Sequence, residues 1–358
     1  MIKEKIKFYS DKENIFITGN GTSAIYLALK ASNLPKGSKI AVPNISCPDP
    51  VYALIWAGYK PIFIDVNMDD YNMSTIHLEE KLQSDRTIKG IIAIHLFGNS
   101  CDIVNIKKLS KKYNCFLIED SAQSFGNEIE SGKLGSFGDV SIFSFGSGKI
   151  IEAGHGGSIQ TDDKKLFEKI KEEYLKLPKY NNKKIEKLSK LHRLIYYKLY
   201  YLGIKYPRLN ILNYIYVYFF KNYYLYRLEE RYLKLLSDGL KKFNQNKKDR
   251  ISLINSYLDE LKNLSNIKSP KLNNKENILS RLTVVVDKSE KVSKEIRDKN
   301  ISSNTMYPML IDRFKLFFDK QEYINSYLLK GKLLNLWSNN ISEQELSSTL
   351  KIIKDINE

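Results

Sequence analysis

The chain has 358 residues, 42% hydrophobic and 27% charged, enough for about two domains at roughly 150 residues each and too apolar for wholesale disorder. No apolar run approaches the roughly 20 residues that span a bilayer, and the opening MIKEKIKFYSDKEN lacks the apolar stretch of a secretory signal. Three cysteines (Cys47, Cys101, Cys115) are too few for a disulfide framework, so a reducing cytoplasm is expected.

Lys and Arg total 57 against 41 Asp and Glu, a net charge of +16. Such a surplus attracts anions, or it only solvates a lysine-rich surface. No zinc-finger spacing or RNP-type aromatic pattern points to nucleic acid as the partner.

In chain order, strands are expected at Ile15–Thr18, Lys39–Val42, Pro61–Asp65, Gly90–His95, Cys115–Glu119, Val140–Ser144 and Gly157–Thr161. Helices are expected between them, at Thr22–Lys30, Asp49–Ala57, Ile76–Leu82 and Ile103–Tyr113. Alternation of this kind builds βαβ units and a largely parallel sheet with helices on both faces. From about Leu166 long Lys-rich helices follow. Residues 187–228 hold no Asp or Glu, eight Lys or Arg and eleven Tyr. The polar stretch Gln245–Arg250 reads as a boundary. Beyond it come a helix (Ile251–Leu261), a strand (Arg281–Val286), a helix (Lys291–Asn300) and a closing helix (Ser342–Ile356). The expected division is residues 1–245 and a smaller α+β unit over 246–358.

In open α/β sheets, ligands bind beyond the carboxyl ends of the strands, and three such ends carry chemistry. At Gly19-Asn20-Gly21-Thr22-Ser23-Ala24 a strand turns through glycines into a helix, which aims backbone N–H groups and the positive helix end at an anion. The same residues match a loose dinucleotide fingerprint, but that fingerprint wants an acid about 20 residues on, and none lies between Thr22 and Pro48. A turn without ligand is the other reading. At Glu119-Asp120-Ser121-Ala122-Gln123 a strand ends in two acids pointing to opposite faces. One would cap the turn, the other would meet a cationic ring nitrogen, and Gln123 would reach the same ligand. At Gly146-Ser147-Gly148-Lys149 a P-loop fails, because Phe143 stands where its first glycine belongs and Ile150 where its Ser or Thr belongs. What remains is a lysine in a glycine-rich, apolar loop after a strand ending at Ser144. Desolvation makes such an amine nucleophilic; a surface lysine is the plain alternative. Taken together, a phosphate cradle, an Asp and a Lys are the set a pyridoxal phosphate enzyme needs.

These segments, with Val42-Pro43, Ala57-Gly58, Pro61 to Val66, His95 to Gly98, Gly135 to Asp139, Phe143-Ser144-Phe145, Gly156-Gly157, Tyr307-Pro308 and Leu333 to Trp337, resemble the DegT/DnrJ/EryC1/StrS aminotransferases, the pyridoxal-phosphate sugar aminotransferases of fold type I. The resemblance implies a three-layer α/β/α large domain with a mixed, mostly parallel sheet, a small C-terminal α+β domain, and a homodimer. It implies pyridoxal 5'-phosphate as cofactor, with Lys149 bonding its aldehyde and moving the substrate proton. Asp120 would pair with the ring nitrogen and Gln123 with the ring hydroxyl. Gly21, Thr22, Ser23 and Ser144 would hold the phosphate, and Cys47 stands where the family often stacks an aromatic ring. Some relatives carry His in place of the lysine and act as dehydratases; Lys149 argues for amino transfer. His155 and Tyr307 would border the substrate, while His95 has a structural role. Glutamate or glutamine would donate the amine, and a nucleotide-diphosphate keto sugar would accept it, for surface glycan or antibiotic assembly. Another phosphorylated amine or ketone as substrate, or a cofactor-binding regulator without turnover, are the alternatives. No metal is implied.

The family usually has a loop bearing Gly and Asn in the middle of the chain, which does not align with residues 172–228. The Tyr-rich basic stretch there is expected to form a helical hairpin in the dimer interface. Contact of 187–228 with the inner face of an anionic membrane is the alternative.

Overall fold

The computed structural model describes every residue except 1, 206–210, 265, 306–309, 311–313, 315–322, 338–340 and 358. Tyr307 and Pro308 therefore lie outside the described residues, as do parts of the Tyr-rich stretch.

The N-terminal elements run α1 (Ile2–Ser10), β1 (Asn14–Thr18), α2 (Gly21–Ala31), β2 (Lys39–Pro43), α3 (Asp49–Ala57), β3 (Lys60–Ile64), α4 (Thr75–Ser84), β4 (Ile88–Ile94), α5 (Ile103–Lys112) and β5 (Phe116–Asp120). A short hairpin, β6 (Glu128–Ile129) and β7 (Gly132–Lys133), precedes β8 (Val140–Ser144), β9 (Gly157–Thr161) and α6 (Lys164–Leu175). Helices start where side chains satisfy the free N–H groups of the first turn: Ser74, Asp102 and Asp163 each accept such a bond for α4, α5 and α6. Gly58, at φ 95°, ends α3 in the left-handed conformation that favours glycine.

Seven strands form one sheet in the order β1-β9-β8-β5-β4-β2-β3. The inner pairs β5–β8, β4–β5, β2–β4 and β2–β3 are parallel, and β9 runs antiparallel to both neighbours. The sheet is thus mixed and mostly parallel, and the sequence pattern explains why. Ile40, Val42, Ile92, Ile94, Ile118, Val140 and Ile142 pack with α2, α3 and α6 on one face. Their immediate neighbours Ala41, Ile91, Ala93 and Leu117 pack with α4 and α5 on the other. Strands buried on both faces read as unbroken apolar runs.

After α6 come α7 (Asn182–Lys205), α8 (Ile211–Phe219), α9 (Lys221–Tyr224) and α10 (Arg231–Leu261). Here the structure departs from the expected break: Gln245–Arg250 lies in the middle of α10, a single helix of 31 residues. The reason is the apolar stripe. Leu236, Leu240 and Phe243 pack against Phe143 and Phe145 of the large core, and Ile254, Tyr257 and Leu261 continue into the C-terminal core. A polar outer face between those anchors is ordinary for a surface helix.

The C-terminal unit is a three-stranded antiparallel sheet, β10 (Arg281–Val285), β12 (Leu333–Trp337) and β11 (Ser303–Asn304), in that order, with α11 (Ser289–Asp298) and the closing helix Glu343–Asn357 packed on it. It is tied to the large unit through Asp65. That carboxylate accepts the backbone N–H groups of Asn325 and Ser326, each at 2.9 Å, and the Ser326 hydroxyl at 2.6 Å. It caps the helix Ile324–Leu329 from a distant part of the chain. Asp65→Ala is expected to cost about 1–2 kcal/mol, the upper range of a lost cap, read as a lower urea midpoint at unchanged slope.

Among the described residues no helix is long and apolar enough to cross a membrane.

Candidate active site

The carboxyl ends of β1, β2, β5 and β8 meet at one edge of the sheet and open into a cavity of about 750 Å³. Gly21, Thr22, Cys47, Asp120, Gln123, Ser144, Lys149 and His155 all line it. The topology brings these scattered residues together, since each follows a strand at the same edge.

The first wall is the start of α2. Asn20 caps the helix: its Oδ1 accepts the Ser23 N–H at 2.7 Å, and Ser23 Oγ accepts the Asn20 N–H at 3.0 Å. That closed exchange changes the expectation for Ser23, which is fully buried with its hydroxyl committed to the cap and does not line the cavity. The anion cradle is left to the first N–H groups of the helix, at Gly21 and Thr22, which the helix itself cannot pair. Ser144 comes to it closely. A Cβ on Gly21 would lie 3.0 Å from the Ser144 Cβ and 3.2 Å from its hydroxyl, so position 21 brings a helix start and a hydroxyl into contact by having no side chain.

The floor is the end of β5. Asp120 is buried and faces the cavity, with Oδ1 accepting the Ala122 N–H at 3.0 Å. Burial raises its carboxyl pKa, against the opposing pull of the Ala122 bond and the Lys149 charge. A carboxylate so placed favours a cationic partner. Gln123 is oriented by Ser280, whose hydroxyl donates to Oε1 at 3.2 Å, so its amide N–H groups are left for the cavity side.

Glu119 points the other way, as strand alternation requires. Fully buried, it accepts N–H groups from Gly135, Phe137 and Gly138 at 2.6, 2.7 and 3.0 Å, the Ser141 hydroxyl at 3.1 Å and His95 Nε2 at 3.1 Å. Burial would raise its pKa, but the hydrogen bonds from His95 and from the backbone N–H groups outweigh it and hold Glu119 below the usual carboxylate range. The Cys101 N–H donates to His95 Nδ1 at 3.2 Å, so the ring proton sits on Nε2 toward Glu119. His95 therefore has the expected structural role, bracing β4 against β5 behind the site.

Lys149 is half-buried in the loop after β8. Among the described residues its amine makes no ion pair within 4.0 Å, yet its charge is felt by Asp49, Asp120 and Cys47. Burial pushes the Cys47 thiol well up, so it stays protonated and acts as a small wall residue. Asp49 is a cavity residue that the sequence reading missed. Burial raises its carboxyl, against Lys149 and hydrogen bonds from Cys47, Tyr224 and Thr22, the last at 3.4 Å. The available signal was its place after β2, at the same sheet edge as the others.

The larger surprise is the middle of the chain. The helical segment α7–α9 folds back on its own large domain: Trp56 donates to the Val217 carbonyl at 3.1 Å, and Tyr216 and Tyr224 pack on Tyr52 and Trp56. A Cβ at Gly19 would lie 2.3 Å from the Tyr226 carbonyl, so that glycine admits the segment to the cavity rim. Tyr180, His192, Tyr224, Tyr226 and Tyr232 then form the wall opposite the sheet.

The sequence pattern of the DegT/DnrJ/EryC1/StrS aminotransferase family matches residues 2–334. The chain belongs to that family. Among curated family relatives, the GDP-perosamine synthase of Escherichia coli O157:H7 is 39% identical over 150 residues, 42% of this chain and 41% of that one. A dTDP-3-amino-3,6-dideoxy-alpha-D-galactopyranose transaminase from Aneurinibacillus thermoaerophilus is 32% identical over 169 residues, 47% and 46% of the two chains. These matches span less than half of the relatives' length. Solved structures extend the likeness in fold. A family aminotransferase from Brucella abortus superposes with a TM-score of 0.77 over 99% of this chain and 89% of its own, at 21% identity. The Helicobacter pylori aminotransferase involved in pseudoaminic acid biosynthesis gives 0.78 over 99% and 90%, at 17% identity.

Proposed function

We propose that this protein moves an amino group from glutamate or glutamine to a keto group of a nucleotide-linked sugar, with pyridoxal 5'-phosphate as its cofactor. The carrying observation is that Lys149, Asp120, Gln123 and the Gly21–Thr22 helix start face one cavity. The donor set fits the cofactor at each end: a helix start with two hydroxyls for a phosphate, a buried carboxyl raised in pKa for a ring nitrogen, and an amine for an aldehyde. When bound, the cofactor supplies a carbonyl that takes up an amine and a protonated ring that accepts electron density.

Gly21, Thr22 and Ser144 would hold the phosphate, and Asp120 would keep the ring nitrogen protonated. Gln123, with its carbonyl oxygen engaged by Ser280, would donate to the ring hydroxyl. Lys149 would hold the aldehyde and carry the proton that leaves and returns to the substrate carbon. The curated relatives' names, among them a UDP-N-acetyl-3-dehydro-alpha-D-glucosamine 3-aminotransferase and a spore coat polysaccharide biosynthesis protein, support a nucleotide sugar as acceptor and glycan assembly as the setting.

The remaining assignments are a homodimer and a cytoplasmic location, the latter suited by three free cysteines. Ile215, Tyr218 and Phe219 of α8 are exposed and form the surface a second copy would cover. Sedimentation of the chain as a monomer at micromolar concentration would remove that assignment. Flotation with anionic liposomes would move the same face to a membrane.

The test of the reaction is the visible spectrum of the protein supplied with pyridoxal phosphate. The expected result is a yellow band that bleaches on adding glutamate and returns on adding a nucleoside-diphosphate keto sugar. A protein that never colours, or whose colour no amino donor changes, overturns the proposal.

A further inference from the structure

The cavity is larger than the Lys149–Asp120 end requires, and its far wall has an order of its own. His155 sits between Gly154 and Gly156, both at positive φ, in a turn that presents its ring to three tyrosines. Its Nδ1 meets the Tyr226 hydroxyl, and its Nε2 lies 3.5 Å from the Tyr180 hydroxyl. The Tyr180 and Tyr232 hydroxyls are 3.1 Å apart, and Arg231 donates to Tyr232 at 3.2 Å. The rings meet edge to face, with centroids 4.6 Å apart for His155–Tyr232 and 5.1 Å for Tyr180–Tyr226. The Arg231 guanidinium lies 4.9 Å over Tyr232 and 5.7 Å over Tyr180, at the exposed end of the set.

A wall of this kind has apolar ring surface and a line of hydroxyls that both donate and accept, with the Arg231–Glu229 ion pair beyond its exposed end. Burial and the nearby Arg231 hold the His155 ring below its usual pKa, so near neutral pH it too donates at one nitrogen and accepts at the other. A dicarboxylate such as glutamate has no use for four polar groups of which none is charged. A pyranose does: it presents C–H faces to rings and hydroxyls around its edge.

Resting on the amino-transfer reading above, we propose that His155, Tyr180, Tyr226 and Tyr232 form the subsite that selects the hexose of the acceptor. Tyr180 and Tyr226 lie between α6 and α10, Tyr232 opens α10, and His155 stands in the loop between β8 and β9, so the subsite joins the Lys149 loop to the segment that follows α6.

The test uses Tyr226→Phe, Tyr232→Phe and the double variant, which keep every ring and delete only hydroxyls; unchanged thermal melting shows that they fold. Two quantities are measured on the full chain: calorimetric binding of a nucleoside-diphosphate 4-keto-6-deoxyhexose, and the two half-reactions followed by colour. Each single variant is expected to weaken sugar-nucleotide binding about three- to tenfold, the range of one lost neutral hydrogen bond, and the double variant about thirtyfold. The return of colour with the keto sugar slows at least about fivefold more than bleaching with glutamate, since the lost bonds are to the acceptor. Equal slowing of both half-reactions, or sugar-nucleotide binding unchanged in the double variant, overturns the subsite. Because binding is read without turnover, a chain that binds the sugar nucleotide through these hydroxyls but never bleaches with glutamate would keep the subsite and defeat only the reaction.

Discussion

Lys149→Ala is expected to abolish amino transfer, with a fall of at least about 10⁴-fold, the upper end of what one positioned proton carrier supplies. The expectation follows from the make-up of the cavity. Two carboxyls whose pKa values are raised by burial, Asp49 and Asp120, both feel the Lys149 charge. Removing it takes away the cavity's amine, and with it the covalent hold on an aldehyde and the proton shuttle. Lys149→Arg separates charge from chemistry: it restores the positive charge but cannot bond an aldehyde or give up a proton near neutral pH. It is expected to be as inactive as the Ala variant. Colour and turnover are the measurements, with thermal melting as the control, since a half-buried loop lysine carries no core packing. Turnover within tenfold of the wild type in either variant would take the catalytic role away from Lys149.

The second large effect is on stability. Glu119 accepts five hydrogen bonds in a fully buried site, so Glu119→Ala leaves three backbone N–H groups, a hydroxyl and the His95 ring without their acceptor. Each buried donor left without an acceptor costs about 1–3 kcal/mol, so several together remove a large part of the stability of an ordinary domain. Urea denaturation should show a much lower midpoint, or the chain should fail to fold. Glu119→Gln keeps the shape and one acceptor oxygen and should lose less. The pH dependence has a definite sign. The folded pKa of Glu119 lies below its unfolded value, so the folded state binds its proton less readily than the unfolded chain. The stability this contributes is complete above the unfolded pKa of about 4.3 and is lost as pH falls through the lower folded value. Wild type should therefore lose stability more steeply than Glu119→Gln in that acid window. Parallel curves would show that the carboxylate's charge contributes nothing.

Glu119 and its neighbour Asp120 end one strand, β5, and here the sequence was informative. An apolar run that ends in two acids forces one to each face, whatever the rest of the chain does. The same local logic reads the sheet strands and α2 to α5, because an apolar period and a glycine turn are properties of a few consecutive residues. At Lys149 the local logic excludes a P-loop, by identity at two positions, and leaves a surface lysine open. Ser23 shows the limit of such reading. Its place at a helix start suits a phosphate ligand, but its distance from Asn20 suits a capping box, and only the folded turn shows the cap to be made.

What needed the tertiary structure is what depends on partners far away in the chain. The stretch Gln245–Arg250 is polar enough for a boundary, but Phe243 on one side and Ile254 on the other are held by two different cores, so the helix runs through. Asp49 enters the cavity because α3 begins at the same sheet edge as β5 and β8 end. Tyr180, Tyr226 and Tyr232 have no periodic signature distinguishing them from the chain's other 21 tyrosines. They face the cavity because Trp56, Tyr52 and the bare backbone at Gly19 give their segment a surface to pack on. By itself the sequence determined the strands of the sheet, the helices between them and the residue types at each strand end, since those rest on local pattern. Which tyrosines close the cavity was decided by packing between segments roughly 200 residues apart, a choice made by burial and close approach that no local spacing encodes.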